Sequence, residues 1–100
     1  MANKLNGILQ WNCRGLRDKR NEIDKLIAEY KPIVLCLQET LLSKEIEKRQ
    51  IDGRDLPSFV NIRHYKSYFK CINSGRNGIA IYVRNDIFHS KSISKLICKL

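Results

Sequence analysis

Two polar residues stand where two apolar runs stop. Asn12 closes the run Gly7-Ile8-Leu9-Gln10-Trp11-Asn12, and Glu39 follows Ile33-Val34-Leu35-Cys36-Leu37 with Gln38 between. A carboxylate is a hard oxygen donor that can hold Mg²⁺, and a neighbouring amide can donate to a phosphate oxygen. Phosphodiester cleavage asks for a cation that draws charge from the phosphoryl oxygens and an oriented attacking water. By residue type alone, an Asn and a Glu at strand ends are more often capping or solvated residues. The chemistry therefore depends on what brings them together.

The elements around them can do so. Residues 7–12 read as a short strand that breaks at Cys13-Arg14-Gly15. From Lys19 to Tyr30 the apolar residues Ile23, Leu26, Ile27 and Tyr30 recur at i, i+3, i+4 and i+7, one face of a helix. Asp18 is the expected N-cap, and Pro32 ends the helix after Lys31. Ile33–Leu37 is unbroken apolar sequence without alternation, as for a strand covered on both faces. Strand, helix and strand over 7–40 predict a βαβ unit with a right-handed crossover and parallel strands. Ligands of open α/β sheets gather beyond the carboxyl ends of such strands, where Asn12 and Glu39 stand.

Further along, residues 43–55 are highly charged and predict a loop with a helical turn. Tyr65, Tyr68 and Phe69 interleave with Arg63, Lys66 and Lys70, a pattern found on nucleic-acid surfaces and equally on a half-buried strand with basic residues outward. Residues 73–78 compose a turn, Ile79–Val83 a third apolar strand, and the tail from Ile87 a further strand. His64 and His89 read as surface residues, and Trp11 as core.

Of 100 residues, 43% are hydrophobic and 29% charged, which fits one small globular domain. Cys13, Cys36, Cys71 and Cys98 form no Cys-x-x-Cys pair and read as reduced, mostly buried thiols rather than a zinc site. There is no membrane-spanning run and no signal peptide, so an intracellular protein is expected. A net charge of +9 and a pI near 9.7 favour a polyanionic partner, nucleic acid above all.

The run Ile8-Leu9-Gln10-Trp11-Asn12-Cys13-Arg14-Gly15-Leu16 resembles the opening strand and turn of the endonucleases carried by non-LTR (jockey-like) retrotransposons. These are apurinic/apyrimidinic-type members of the endonuclease/exonuclease/phosphatase superfamily. Ile33–Thr40, with its Leu-Gln-Glu-Thr ending, resembles their second strand, and Gly78–Arg84 with Ile87, His89 and Ser90 their third block. Order and spacing agree over about residues 7–90. The resemblance implies the N-terminal βαβ portion of a DNase I-like four-layer α/β sandwich, truncated, with residues 1–100 a fragment of one domain. It implies a metal-dependent DNA endonuclease using Mg²⁺ or Mn²⁺. Asn12 and Glu39 would be catalytic, Glu39 the metal ligand, and Arg14 and Arg76 nucleic-acid contacts. DNA would be the partner, a reverse transcriptase would accompany the domain in the parent polyprotein, and the nucleus would be the place of action on DNA.

Asn77-Gly78 replaces the Gly-Gly pair of many members, a sound local turn. The family's later motifs, a catalytic tyrosine region, an Asp-x-Asn pair and a closing Asp-His, have no counterpart here, so the fragment alone is expected to be inactive. Two other readings stay open: a phosphomonoesterase of the same fold, and a non-catalytic basic remnant that binds nucleic acid.

Overall fold

A computed structural model describes residues 3–5, 7–71 and 78–86. The elements are β1 (Asn3–Leu5), β2 (Ile8–Asn12), α1 (Arg20–Tyr30), β3 (Val34–Gln38), α2 (Lys44–Ile51), β4 (Tyr65–Lys70) and β5 (Ile79–Arg84). They build a five-stranded sheet in the order β1-β2-β3-β5-β4. β2 and β3 are parallel, as the βαβ pattern predicts, and every other pair is antiparallel.

The helical stripe of α1 explains its position. Ile23 is fully buried and Leu26 and Ile27 pack on the main core, alongside Leu9, Leu35, Leu37 and Tyr82. Each such side chain removed from water stabilises the fold by about 1.5–3 kcal/mol. The helix starts one residue later than expected. Its N-cap is Lys19, without a side-chain hydrogen bond, in place of Asp18. The turn before it is closed by backbone instead, with the Lys19 N–H donating to the carbonyls of Gly15 (3.1 Å) and Leu16 (3.2 Å). At the other end Lys31 takes the left-handed conformation (φ 44°) and donates its N–H to the Ile27 carbonyl, and Pro32 follows.

Register divides the sheet into two faces. Leu9, Trp11, Leu35, Leu37, Ala80, Tyr82 and Phe69 belong to the cluster that also holds Ile23 of α1 and Ile46 of α2. Tyr82 is fully buried there, and its hydroxyl donates to the Val60 carbonyl at 2.7 Å. Burial pushes that phenol far above its ordinary pKa. The opposite face carries Cys36, Ile81 and Val83, flanked by Val34, Tyr68 and Ile79. Among the described residues, this second cluster includes no residue of either helix.

Residues 44–51 form a full helix, where sequence predicts a loop with one turn. Its apolar stripe is short, with Ile46 buried and Ile51 78% exposed. What holds it is long-range. The Gln50 side-chain amide donates to the Ser67 carbonyl and accepts from the Phe69 N–H at 3.0 Å, and Glu47 accepts from the Cys71 N–H at 3.1 Å. Helix side chains thus fill hydrogen-bond positions along the outer edge of β4, as a neighbouring strand would.

β4 itself is the half-buried strand expected for the interleaved aromatic and basic block: Phe69 is buried, while Lys66 and Lys70 are exposed. His64 is exposed. Cys13 and Cys36 are buried, Cys71 half-buried, and all three are free thiols. Residues 73–77 of the turn expected at 73–78, the tail strand, Arg76, His89 and Cys98 lie outside the described residues.

Candidate active site

Parallel pairing of β2 with β3 sets Asn12 directly opposite Gln38, and Glu39 is the next residue in the chain. Adjacent strands lie about 4.8 Å apart, so the two candidate residues leave the sheet side by side at one rim. Asn12 is exposed and Glu39 half-buried.

The rim is fastened by backbone bonds between the loops that follow the two strands. The N–H groups of Cys13, Gly15 and Leu16 donate to the carbonyls of Gln38 (3.0 Å), Glu39 (2.8 Å) and Thr40 (2.9 Å). The ladder of two parallel strands therefore continues past their ends, through the Asn-Cys-Arg-Gly and Gln-Glu-Thr segments. Three residues of these loops, Arg14 (φ 52°), Glu39 (φ 52°) and Leu41 (φ 57°), take the left-handed conformation. Each costs about 1–2 kcal/mol for a residue other than glycine. Such strain persists where surrounding bonds over-determine it, and it clusters at functional sites. It also turns the Glu39 side chain out of the strict alternation that β3 would impose.

A third segment completes the rim. The Thr40 N–H donates to the Gly78 carbonyl at 3.3 Å, and Thr40 is buried. A Cβ on Gly78 would stand 2.8 Å from the Thr40 hydroxyl oxygen, at φ 142°. Glycine is required there by both space and backbone conformation.

Cys13 lies beneath the site. Its thiol donates weakly to the Gln38 carbonyl at 3.4 Å. Burial pushes its pKa up, and the nearby Glu39 carboxylate acts in the same direction, against the lowering effect of backbone hydrogen bonds. It is a packed neighbour of the carboxylate rather than a nucleophile at neutral pH.

Register also reveals residues that composition does not single out. Asn12, Gln38, Ile79 and Lys70 are successive cross-strand partners. Gln38 brings a second amide next to Asn12, and Lys70 puts a cation at the far end of the row. The motif spelling holds Gln38 beside Glu39, but only the sheet order places Lys70 in line with them. Arg14 is exposed in the turn just beyond β2. Arg17 lies over the Phe59 ring, 5.4 Å from its centroid, beside a cleft of about 340 Å³ lined by Gly15, Thr40, Leu41 and Ser43.

Among the described residues, no three His, Cys, Asp or Glu side chains gather as a metal cage. One carboxylate beside amides does not suit zinc, which takes three or four protein ligands. It does suit Mg²⁺, which keeps waters and is commonly held by one or two carboxylates plus substrate phosphate.

Residues 9–94 match the Endonuclease/Exonuclease/phosphatase family. The chain belongs to that family. No curated protein matches the sequence. Among solved structures, an AP endonuclease from Leishmania major is similar at 25% identity and a TM-score of 0.57, over 78% of this chain and 23% of that one. An AP endonuclease from Archaeoglobus fulgidus is similar at 26% identity and a TM-score of 0.53, over 76% and 26%. A 3′ phosphatase from Neisseria, bound to a product DNA hairpin, shares the fold at 22% identity and a TM-score of 0.54, over 77% and 26%. The chain spans about a quarter of the length of these structures. Its mixed sheet with helices is thus a portion of the DNase I-like fold of this endonuclease/exonuclease/phosphatase family. Among the described residues no helix is long and apolar enough to cross a membrane.

Proposed function

We propose that this chain is the N-terminal, site-bearing part of a divalent-metal-dependent DNA endonuclease, of the kind that nicks target DNA for a non-LTR retrotransposon. The observation that carries this reading is the shared rim: parallel strands end at Asn12 and Glu39, and their following loops are hydrogen-bonded together. The match to the family and the likeness to AP endonucleases support hydrolysis of phosphodiesters. The retrotransposon assignment rests on the spelling of the Asn-Cys-Arg-Gly and Gln-Glu-Thr blocks.

In this reading Glu39 holds the cation, Mg²⁺ or Mn²⁺, which when bound draws charge from the phosphoryl oxygens of the scissile group. Asn12 donates its amide hydrogens to a phosphate oxygen and fixes the phosphate at the rim, with Gln38 beside it. Arg14 and Arg76 hold flanking phosphates of the DNA. The rest of the domain supplies the base that activates water, and the parent protein carries a reverse transcriptase and works on nuclear DNA. Positioned proton transfer contributes about a hundred- to ten-thousand-fold, so the 100 residues alone do not cleave.

A plasmid-nicking assay with Mg²⁺ tests this, run on the purified chain and on a chimera joined to the C-terminal half of a related endonuclease. Nicking by the chimera that is lost on Glu39→Gln is the expected result. Release of phosphate from a 3′-phosphorylated oligonucleotide without nicking would mean a phosphomonoesterase. DNA binding by the chimera without either activity would leave a basic binding module.

A further inference from the structure

The end of the sheet remote from Asn12 and Glu39 holds a second concavity. β5 runs antiparallel to β3, so its last residue, Arg84, lies beside the start of β3. A cavity of about 560 Å³ opens there, lined by Ile27 and Tyr65 together with Lys31, Arg63, His64 and Arg84. The strands between are five residues long, so the two concavities stand about 17 Å apart.

Its walls are fixed. Arg84 donates through Nε to Asp86 at 2.7 Å and through Nη1 to the Lys31 carbonyl at 3.1 Å. The Tyr65 hydroxyl donates to the next carbonyl, that of Pro32. The Asn85 N–H donates to the carbonyl of His64 at 2.8 Å. Three permanent cations, Lys31, Arg63 and Arg84, face one carboxylate, Asp86. Among the described residues neither Lys31 nor Arg63 is in an ion pair. The carboxyl end of α1 also lies here and works against an anion, but Arg84 covers the carbonyl of its cap residue.

An apolar wall with an aromatic ring and a surplus of guanidinium and ammonium groups matches a flat base joined to a phosphate. We infer that this cavity binds a nucleotide unit of single-stranded nucleic acid, at a site separate from the Asn12–Glu39 rim. Stacking against an aromatic side chain together with backbone phosphate contacts is how such strands are held without sequence preference. The inference does not depend on cleavage, because the rim contributes no residue to this cavity.

The test uses the 100-residue chain, labelled with ¹⁵N, and follows amide shifts while thymidine 5′-monophosphate, thymidine, inorganic phosphate or an octathymidylate is added. The monophosphate is expected to move the amides of Lys31, Arg63, Tyr65 and Arg84, and to bind more tightly than thymidine or phosphate. Arg63→Glu is expected to weaken octathymidylate binding about tenfold, the effect of one charge-assisted contact. Lys25→Glu, an equal charge change on the exposed side of α1, should have a far smaller effect. Equal losses from Arg63→Glu and Lys25→Glu would mean a diffuse field and overturn the site. Inorganic phosphate binding as tightly as the monophosphate would make it a simple anion site, and shifts confined to residues 12–16 and 38–41 would move the nucleotide to the rim. Either outcome overturns the inference.

Discussion

Gly78 faces Thr40 so closely that a single added carbon would fall 2.8 Å from the threonine hydroxyl oxygen. The contact ties the start of β5 to the residue after Glu39, so the strand that carries the candidate carboxylate is held from both sides. Gly78→Ala must therefore move either Thr40 or β5, and it also places a side chain at φ 142°. We expect a loss of about 1–3 kcal/mol in urea unfolding. Gly53 is a matched control, with φ 71° and nothing within 4 Å of an added Cβ. Equal costs for Gly53→Ala and Gly78→Ala would show that the close approach contributes nothing.

Glu39→Gln keeps the shape of the rim and removes its charge. In a completed domain we expect cleavage to fall on the order of a hundredfold or more, because several kcal/mol of charge stabilisation depend on the cation, while DNA affinity changes little. Asn12→Ala should act in the same direction and more mildly. Single-turnover rates and binding isotherms on the same DNA separate the two effects, and parallel losses in both would make Glu39 a structural residue.

The net charge of +9 should make binding to duplex DNA tolerant of sequence and sensitive to salt. With about five phosphate contacts, log K against log salt should fall with a slope of about −4.5. Affinity that stays flat from low to physiological salt would remove the electrostatic basis of the partner assignment.

Burial pushes the thiols of Cys13 and Cys36 up, so the folded chain keeps protons that the unfolded chain gives away. The resulting stabilisation is complete below the ordinary thiol value of about 8.5 and is lost as pH rises from there through the raised folded values. Urea midpoints measured in reductant should therefore hold steady to about pH 8 and fall above it. Both thiols should react slowly with iodoacetamide in the native chain and quickly in urea. A midpoint that rises with pH would contradict their burial.

The sequence is most legible where local pattern and tertiary packing agree. β2, β3 and β5 are apolar runs, and α1 has a 3.6-residue stripe whose Ile23, Leu26 and Ile27 meet the core. The same runs point to Asn12 and Glu39, because polar residues that end parallel strands share a rim. α2 is poorly legible because Ile46 is its one buried apolar residue, and its fixing partners, Ser67, Phe69 and Cys71, are distant in sequence. Lys19 displaces Asp18 as cap because the preceding turn satisfies the backbone without a side chain. Lys70 joins the row of Asn12 and Gln38 through the order of β3, β5 and β4, which no spacing in the chain encodes.

The way α2 finishes β4 bears on how this chain behaves in company. Gln50 imitates a peptide unit, giving one donor and one acceptor to the strand that, among the described residues, ends the sheet. Remove that imitation, as in Gln50→Ala, and Ser67 and Phe69 regain open valences that another molecule's backbone can fill. Gln50 and Glu47 thus occupy positions along an edge that would otherwise be a template for pairing with another chain.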